Sequence, residues 1–209
     1  MWVRDVMTRP VVTTRPEISV KDAAVVLAGH RFTALPVVDQ DGRLVGMLSE
    51  ADVVRGRISP DPRHRAWQGT EAGSTASATV GEVMSCSPVS VDPQADAADL
   101  AATMIDRGLR SVPVVEEDRV VGIVTRRNLV RIIARDDSLI AADIRRRLAR
   151  YGGLDRWAVQ VHQGSVTITD DYADQADHHV ALVLAQAVPG VVHVEVTEKT
   201  PAAGAGDRS

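Results

Sequence analysis

Two stretches of this chain place a hydroxyl three residues ahead of an acidic or amide side chain: Gly46-Met-Leu-Ser49-Glu-Ala-Asp52 and Gly122-Ile-Val-Thr125-Arg-Arg-Asn128. In both, an apolar strand-like run passes through glycine and ends on the hydroxyl, where a helix starts. The unpaired N–H groups and positive dipole end of a helix can hold phosphate oxygens, and Ser49 or Thr125 would add a hydroxyl donor. A carboxylate one turn in, as at Asp52, can accept both hydrogens of a ribose cis-diol. The same spacing is also a capping box, in which the hydroxyl and the third helical side chain satisfy helix-end amides. One copy needs no more than the cap. Two copies after matched strands put the ligand reading level with it.

Little else in the chain could do chemistry. His30, His64, His162, His178, His179 and His193 lack metal-ligand spacing; His178 and His179 are adjacent on a helix and point apart, and His162 and His193 fall on polar strand faces. There is no Gly-rich phosphate loop and no nucleophile elbow, so neither a metal site nor catalysis is expected. Cys86 is the only cysteine, which rules out an internal disulfide, points to a reducing compartment and reads as a small packing residue. With 209 residues, 44% hydrophobic but only 3% aromatic, aliphatic side chains must fill the core. A net charge of −4 is too mild for a dedicated nucleic-acid binder. No leader-like or membrane-length apolar run is present, and a cytoplasmic protein is expected.

The elements that must position these residues come in duplicate. Val3 to Arg55 reappears as Val80 to Arg131, offset by 77 positions up to a one-residue deletion near Gly42 and by 76 after it. Such repetition means two copies of one unit, each with an apolar face that the other can cover. Each copy reads β-α-β-β-α: a short strand (Val11–Thr13, Val89–Val91), a helix, a strand with an early proline (Leu35–Asp39), a hairpin turn at Asp41-Gly42, a returning strand (Leu44–Leu48), and a second helix. Ser19 is placed to cap the first helix, with Val20, Ala23, Ala24 and Leu27 on one face; Ala97, Leu100, Ala101 and Met104 repeat that stripe. Between the copies, the Gly/Ser/Thr/Ala-rich run after Pro60 and Pro62 reads as a linker. Its Arg63, His64, Arg65 and Trp67 could fold over a cleft, although a docked linker with one anchoring tryptophan is the simpler reading.

A different unit starts near Asp136. Ser138 is expected to cap a helix carrying Ile140, Ile144 and Leu148, followed by two strands turning at Gly164, a helix from about Ala173 to Ala187, and a last strand through Val192, Val194 and Val196. The order is α-β-β-α-β. The tail from Pro201 is small and polar, and reads as disordered.

The repeat resembles the CBS domain family, specifically the tandem pair that forms a Bateman module. The resemblance covers residues 1 to about 135 and rests on Val-x-x-Val-Met at each start, Leu-Pro-Val-Val-Asp and Val-Pro-Val-Val-Glu in the middle, and Gly-x-x-Ser-x-x-Asp at the end. It implies an α+β fold of two repeats packed as a pseudo-symmetric pair. It also implies a regulatory module binding AMP, ATP or S-adenosylmethionine in clefts between the repeats, without a resident cofactor. Carried over residue by residue, the first cleft would use Thr13, Thr33, Ala34, Leu35, Ser49 and Asp52. The second would use Ser90, Arg110, Ser111, Val112, Thr125, Arg126 and Asn128. The two sets are unequal. The first keeps the ribose carboxylate but has Glu50 beside Ser49, which suits a ligand with little phosphate charge. The second has one acceptor oxygen at Asn128, but its arginines Arg110, Arg126 and Arg127 match phosphate oxygens through their planar forks. If used, it suits a phosphate-rich ligand; Arg126 and Arg127 read equally well as solvated helix residues. Paired modules of the family associate face to face, so a homodimer is expected.

Residues 136 to 199 resemble the BON domain, on Ile144-Arg-Arg-Arg-Leu148, Val159-x-Val161-x-x-Gly164-x-Val166-Thr167-Ile168 and Val188-Pro-Gly190-Val191-x-x-Val194. The usual Ser-Gly after the second strand is replaced by Thr169-Asp170-Asp171. The resemblance implies contact with phospholipid or a protein partner, for which Arg145, Arg146, Arg147 and Arg150 could supply charge; a solvated helix face is the plainer reading. The expected domains are 1–58 and 80–135 for the repeats, 59–79 for the linker, 136–199 for the BON-like module and 200–209 for the tail. The expected function is a non-catalytic sensor, the alternative being an interaction or membrane-surface adaptor with empty clefts.

Overall fold

Each repeat is built on a hairpin laid against a helix. In the first, α1 (Val20–His30) is capped by Ser19, whose Oγ accepts from the Asp22 amide at 3.1 Å, as expected. Ala23 and Leu27 of α1 pack on Leu35 and Val37 of β1 (Ala34–Val38) and Leu48 of β2 (Leu44–Ser49). The turn takes Gly42 to φ 81°, and the Asp39 carboxylate accepts from the Asp41 and Arg43 amides at 2.9 Å each. β2 runs into the short α2 (Glu50–Val54). The second repeat follows with α3 (Val80–Val83), β3 (Ser85–Cys86), α4 (Ala97–Asp106), β4 (Ser111–Glu116), β5 (Arg119–Thr125) and α5 (Arg126–Ile133). Its hairpin closes on Glu117 and Asp118 alone, at φ 48° and 65°, which is where the sequence deletion falls.

The computed structural model describes residues 1–55, 57–58, 78–153, 155–172 and 174–199. Arg63, His64, Arg65 and Trp67, most of the linker, and the tail from residue 200 lie outside the described residues. The chain divides into two compact units, Trp2–Asn128 and Leu129–Ser209 (Met1 is grouped with the latter), and the division falls inside α5.

The expected strands at Val11–Thr13 and Val89–Val91 do not form. Thr14 makes a single parallel bridge to Val37, and Val91 makes the same bridge to Val114. The bonds are Thr14 N–H to the Pro36 carbonyl and Val38 N–H to the Thr14 carbonyl, with the equivalent pair at Val91. Extending the ladder by one step would need an N–H on Pro36 or Pro113, which neither has. The proline that marks each repeat thus limits the pairing beside it.

What the motif list hides is an exchange between the repeats. Val80 and Gly81 donate to the carbonyls of Ile18 and Pro16, while Val3 and Arg4 donate to those of Ala95 and Pro93, the equivalent positions one repeat on. β3 pairs with β2 of the first repeat, and Thr8 bridges Ile123 of β5 in the second. Each opening Val-x-x-Val-Met segment therefore completes the other repeat's core; Val80 belongs to the first repeat's cluster, with Val83 and Met84 against it. The glycines of the closing motif make room for this. A methyl at Gly46 would sit 2.5 Å from Met84 Sδ, and one at Gly122 would collide with Met7 Sδ. Cys86, in β3, is exposed rather than packed.

In the second unit, α6 (Asp137–Gly152) is followed by β6 (Trp157–His162), β7 (Ser165–Asp170), α7 (Gln175–Gln186) and β8 (His193–Glu198). The sheet order is β6-β7-β8, antiparallel and then parallel. The cap of α6 is Asp136, not Ser138: its carboxylate accepts from the Ser138 amide at 2.7 Å and adds a negative charge at the positive helix end. Ile140, Ile144 and Leu148 of α6 and Ala181 and Ala185 of α7 pack on Val159, Val166, Ile168 and Val194. That leaves Gln160, His162, Ser165, His193 and Glu195 on the polar side of the strands, as the alternation in sequence requires.

Candidate functional site

The strand that ends in Ser49 brings most of the first set together. Ala34 lies opposite Ser49 in the β1–β2 ladder, and Glu50 N–H donates to the Thr33 carbonyl at 3.1 Å. Asp52, half-buried, closes the capping box: its Oδ2 accepts from Ser49 N–H at 2.9 Å and from the Ser49 hydroxyl at 2.6 Å. Both bonds fall on one oxygen. Among the described residues Oδ1 has no hydrogen-bond partner. Glu50 is exposed. With five residues, α2 is too short to supply much dipole, so phosphate at its N-terminus has weak support.

Beside this corner lies a cleft of about 310 Å³, lined by Thr13, Thr14, Arg15, Ile18, Asp22, Ala23, Val26 and Leu35. Thr13 and Leu35 were expected there. The others were missed because they sit before α1 or on its inner face, where the sequence shows only an ordinary amphipathic helix. Ser49 and Asp52 do not line this cleft. Leu35 is the residue common to both features, since it pairs with Leu48 next to the Ala34–Ser49 pair.

The second set is differently engaged. Asn128 is 6% exposed. Its Oδ1 accepts from Thr125 N–H at 2.9 Å and from the Thr125 hydroxyl at 2.6 Å, and its Nδ2 donates to the Thr8 hydroxyl at 2.9 Å. Arg126 does not stand free beside Thr125: Nε donates to the Leu109 carbonyl at 2.9 Å and an Nη to that of Met104 at 3.1 Å, tying down the end of α4. The Ser111 hydroxyl is 3.0 Å from that of Thr33, so a residue expected in each cleft bonds to the other. Val112 is fully buried, and Ser90 and Arg110 are exposed.

In the second unit the α6 arginines are partly committed. Arg145 donates to the Val159 carbonyl at 2.7 Å, and Arg146 pairs with Asp143. A buried ion cluster at the other end of α6 escaped the sequence reading. Arg156 grips Asp170 through two bonds, of 2.8 and 2.7 Å, and reaches Asp177 at 2.6 Å. Tyr151 donates to Asp177 at 2.6 Å, and His178 Nε2 lies 3.3 Å from Asp170. The Asp170 side chain is wholly buried. Burial, the largest single influence, raises its pKa, but the Arg156 bonds, the Tyr172 amide and the neighbouring positive charge together outweigh it and hold the carboxyl below its usual range. Bonds from Tyr151 and Arg156 lower Asp177 as well. The departure from Ser-Gly at Thr169-Asp170-Asp171 was the one available signal. Among the described residues no group of His, Cys, Asp and Glu could hold a metal ion.

Two repeats, each a helix and hairpin followed by a second helix, that exchange their opening segments and close on a hydroxyl-x-x-Asp or hydroxyl-x-x-Asn corner define a tandem-repeat module. The CBS domain profile matches residues 3–58 and 80–135, more than half of the chain, and the chain belongs to the CBS domain family. It is 32% identical over 133 residues to protein MJ1404 of Methanocaldococcus jannaschii, a match spanning 63% of this chain and 32% of that protein. The chain thus covers about a third of that relative. The CBS domain pair of protein MJ0100, solved in complex with 5-methylthioadenosine and S-adenosyl-L-methionine, is 27% identical, with a TM-score of 0.53 over 64% of this chain and 96% of that one. CBSX2 from Arabidopsis thaliana, solved in complex with AMP, is 30% identical, with a TM-score of 0.52 over 62% and 93%.

Proposed function

We propose that the chain is a non-catalytic sensor that binds an adenosine-type ligand of the AMP, ATP or S-adenosylmethionine class at the first repeat. The observation that carries this is the cleft beside Leu35. The apolar part of its lining, Ile18, Ala23, Val26 and Leu35, suits a planar base, and Thr13, Thr14 and Asp22 supply polar groups. Its volume of about 310 Å³ lies at the lower end of the roughly 300–1,000 Å³ common for ligand sites. Ser49 and Asp52 stand at the strand–helix corner next to the Leu35–Leu48 pair, and Asp52 Oδ1, with no hydrogen-bond partner among the described residues, is the acceptor assigned to a ribose hydroxyl. The complexes of MJ0100 with S-adenosyl-L-methionine and of CBSX2 with AMP support the ligand class.

Ligand acts through unequal affinity for two arrangements of the protein. Residues 136–199 carry the signal as a BON-like module, a reading supported by the α-β-β-α-β order. The chain works as a homodimer in the cytoplasm. The test is thermal melting of the full chain with AMP, ATP and S-adenosylmethionine. A saturable rise in Tm with at least one is expected, because a ligand that binds only the folded state stabilises it. No shift with any of them would favour an adaptor with empty clefts.

A further inference from the structure

We infer that the chain holds one adenosine-type ligand and not two, and that the Asn128 set is a structural latch for the chain's opening segment. The inference rests on the binding reading above and adds its stoichiometry. Two polar side chains expected to meet a second ligand have atoms committed to the protein. Asn128, 6% exposed, spends Oδ1 on Thr125 and Nδ2 on the Thr8 hydroxyl. Arg126 spends Nε and an Nη on the carbonyls of Leu109 and Met104.

The bond to Thr8 is the telling one. Thr8 lies on the opening segment that completes the second repeat, held there by Thr8 N–H to the Ile123 carbonyl at 2.8 Å and by the reverse bond at 3.2 Å. Its hydroxyl takes the Asn128 amide, the group that the binding reading assigns to a ribose hydroxyl in this repeat. The first repeat is not closed in this way. The counterpart of Thr8 is Ser85, and among the described residues it makes no hydrogen bond to Asp52. An amide suits the latch because it accepts on one side and donates on the other, which a carboxylate cannot do. Opening the corner would leave the buried Asn128 amide unpaired, so a ligand there would have to replace its bonds to Thr125 and Thr8.

Calorimetric titration of the full chain with AMP and with S-adenosylmethionine decides the matter. One equivalent per chain is expected for at least one of them. Two equivalents would overturn the single-site inference alone, whereas no binding of either would overturn both it and the binding reading. Thr8→Val supplies a second arm. It is expected to lower Tm by several degrees while leaving the affinity for AMP or S-adenosylmethionine within about twofold. Thr8→Val and Asn128→Ala together should cost little more than either alone, as partners in one bond do. Additive losses of Tm would overturn the latch.

Discussion

Asp52 and Asn128 occupy equivalent positions and make the same two bonds to the hydroxyl residue three places earlier, yet among the described residues only the Asn128 side chain has a further partner. The sequence displays the difference between acid and amide but not its consequence. That Asn128 is buried against Thr8, 120 residues away, depends on an exchange of segments that no local pattern encodes. The same limit hid Arg126, which reads as a phosphate ligand by type and proves to be a brace for backbone carbonyls. Ser49 and Asp52 were legible because the capping box is a local motif. Asp52→Ala should weaken AMP or S-adenosylmethionine binding at least tenfold, a loss of about 1.4 kcal/mol or more. Unchanged affinity by calorimetry would remove Asp52 from the site.

At the scale of elements, helices, hairpins and the Ser19 cap followed from periodicity and turn chemistry, the α6 cap fell on Asp136 instead of Ser138, and the strands beside Pro36 and Pro113 failed where a missing N–H made pairing impossible. The Val-Met starts and the Val-Gly closures were both visible as motifs; that each Met fills the other repeat's Gly was not. Gly46→Ala should therefore destabilise the paired repeats by about 1–3 kcal/mol through overpacking against Met84 and the Ser85 carbonyl. Met84→Ala should recover part of the loss in denaturant titration, since it removes the obstructing side chain. In the second unit, Asp170→Asn leaves the Arg156 guanidinium, only 15% exposed, with Asp177 as its one remaining carboxylate. A loss of about 1–3 kcal/mol is expected for such a change, read as faster amide exchange in β7; unchanged protection would show that the cluster does not hold the strand.

For the whole molecule, the family was legible because duplication writes the same constraints twice. The ion cluster was not, because its members come from four separate places in the chain and only folding assembles them. It carries a pH signature. Asp170 and Asp177 have pKa values below their usual range when folded. Their stabilising contribution is thus fully present above the unfolded carboxylate value of about 3.9 and is lost as pH falls through the folded values. Protection of residues 157–170 from exchange should hold from neutrality to about pH 5 and drop in more acid solution. Loss of protection on going from pH 5 to 7 would contradict this.

The central claim is that the paired repeats bind an adenosine-type ligand through the Asp52 corner. The most direct measurement is the melting temperature of the full chain and of Asp52→Ala against rising AMP, ATP and S-adenosylmethionine. At a hundred times Kd, one of these should stabilise the native chain by about 2.7 kcal/mol, a shift of several degrees that Asp52→Ala largely abolishes. A flat response to all three, or an equal shift in the variant, would contradict it.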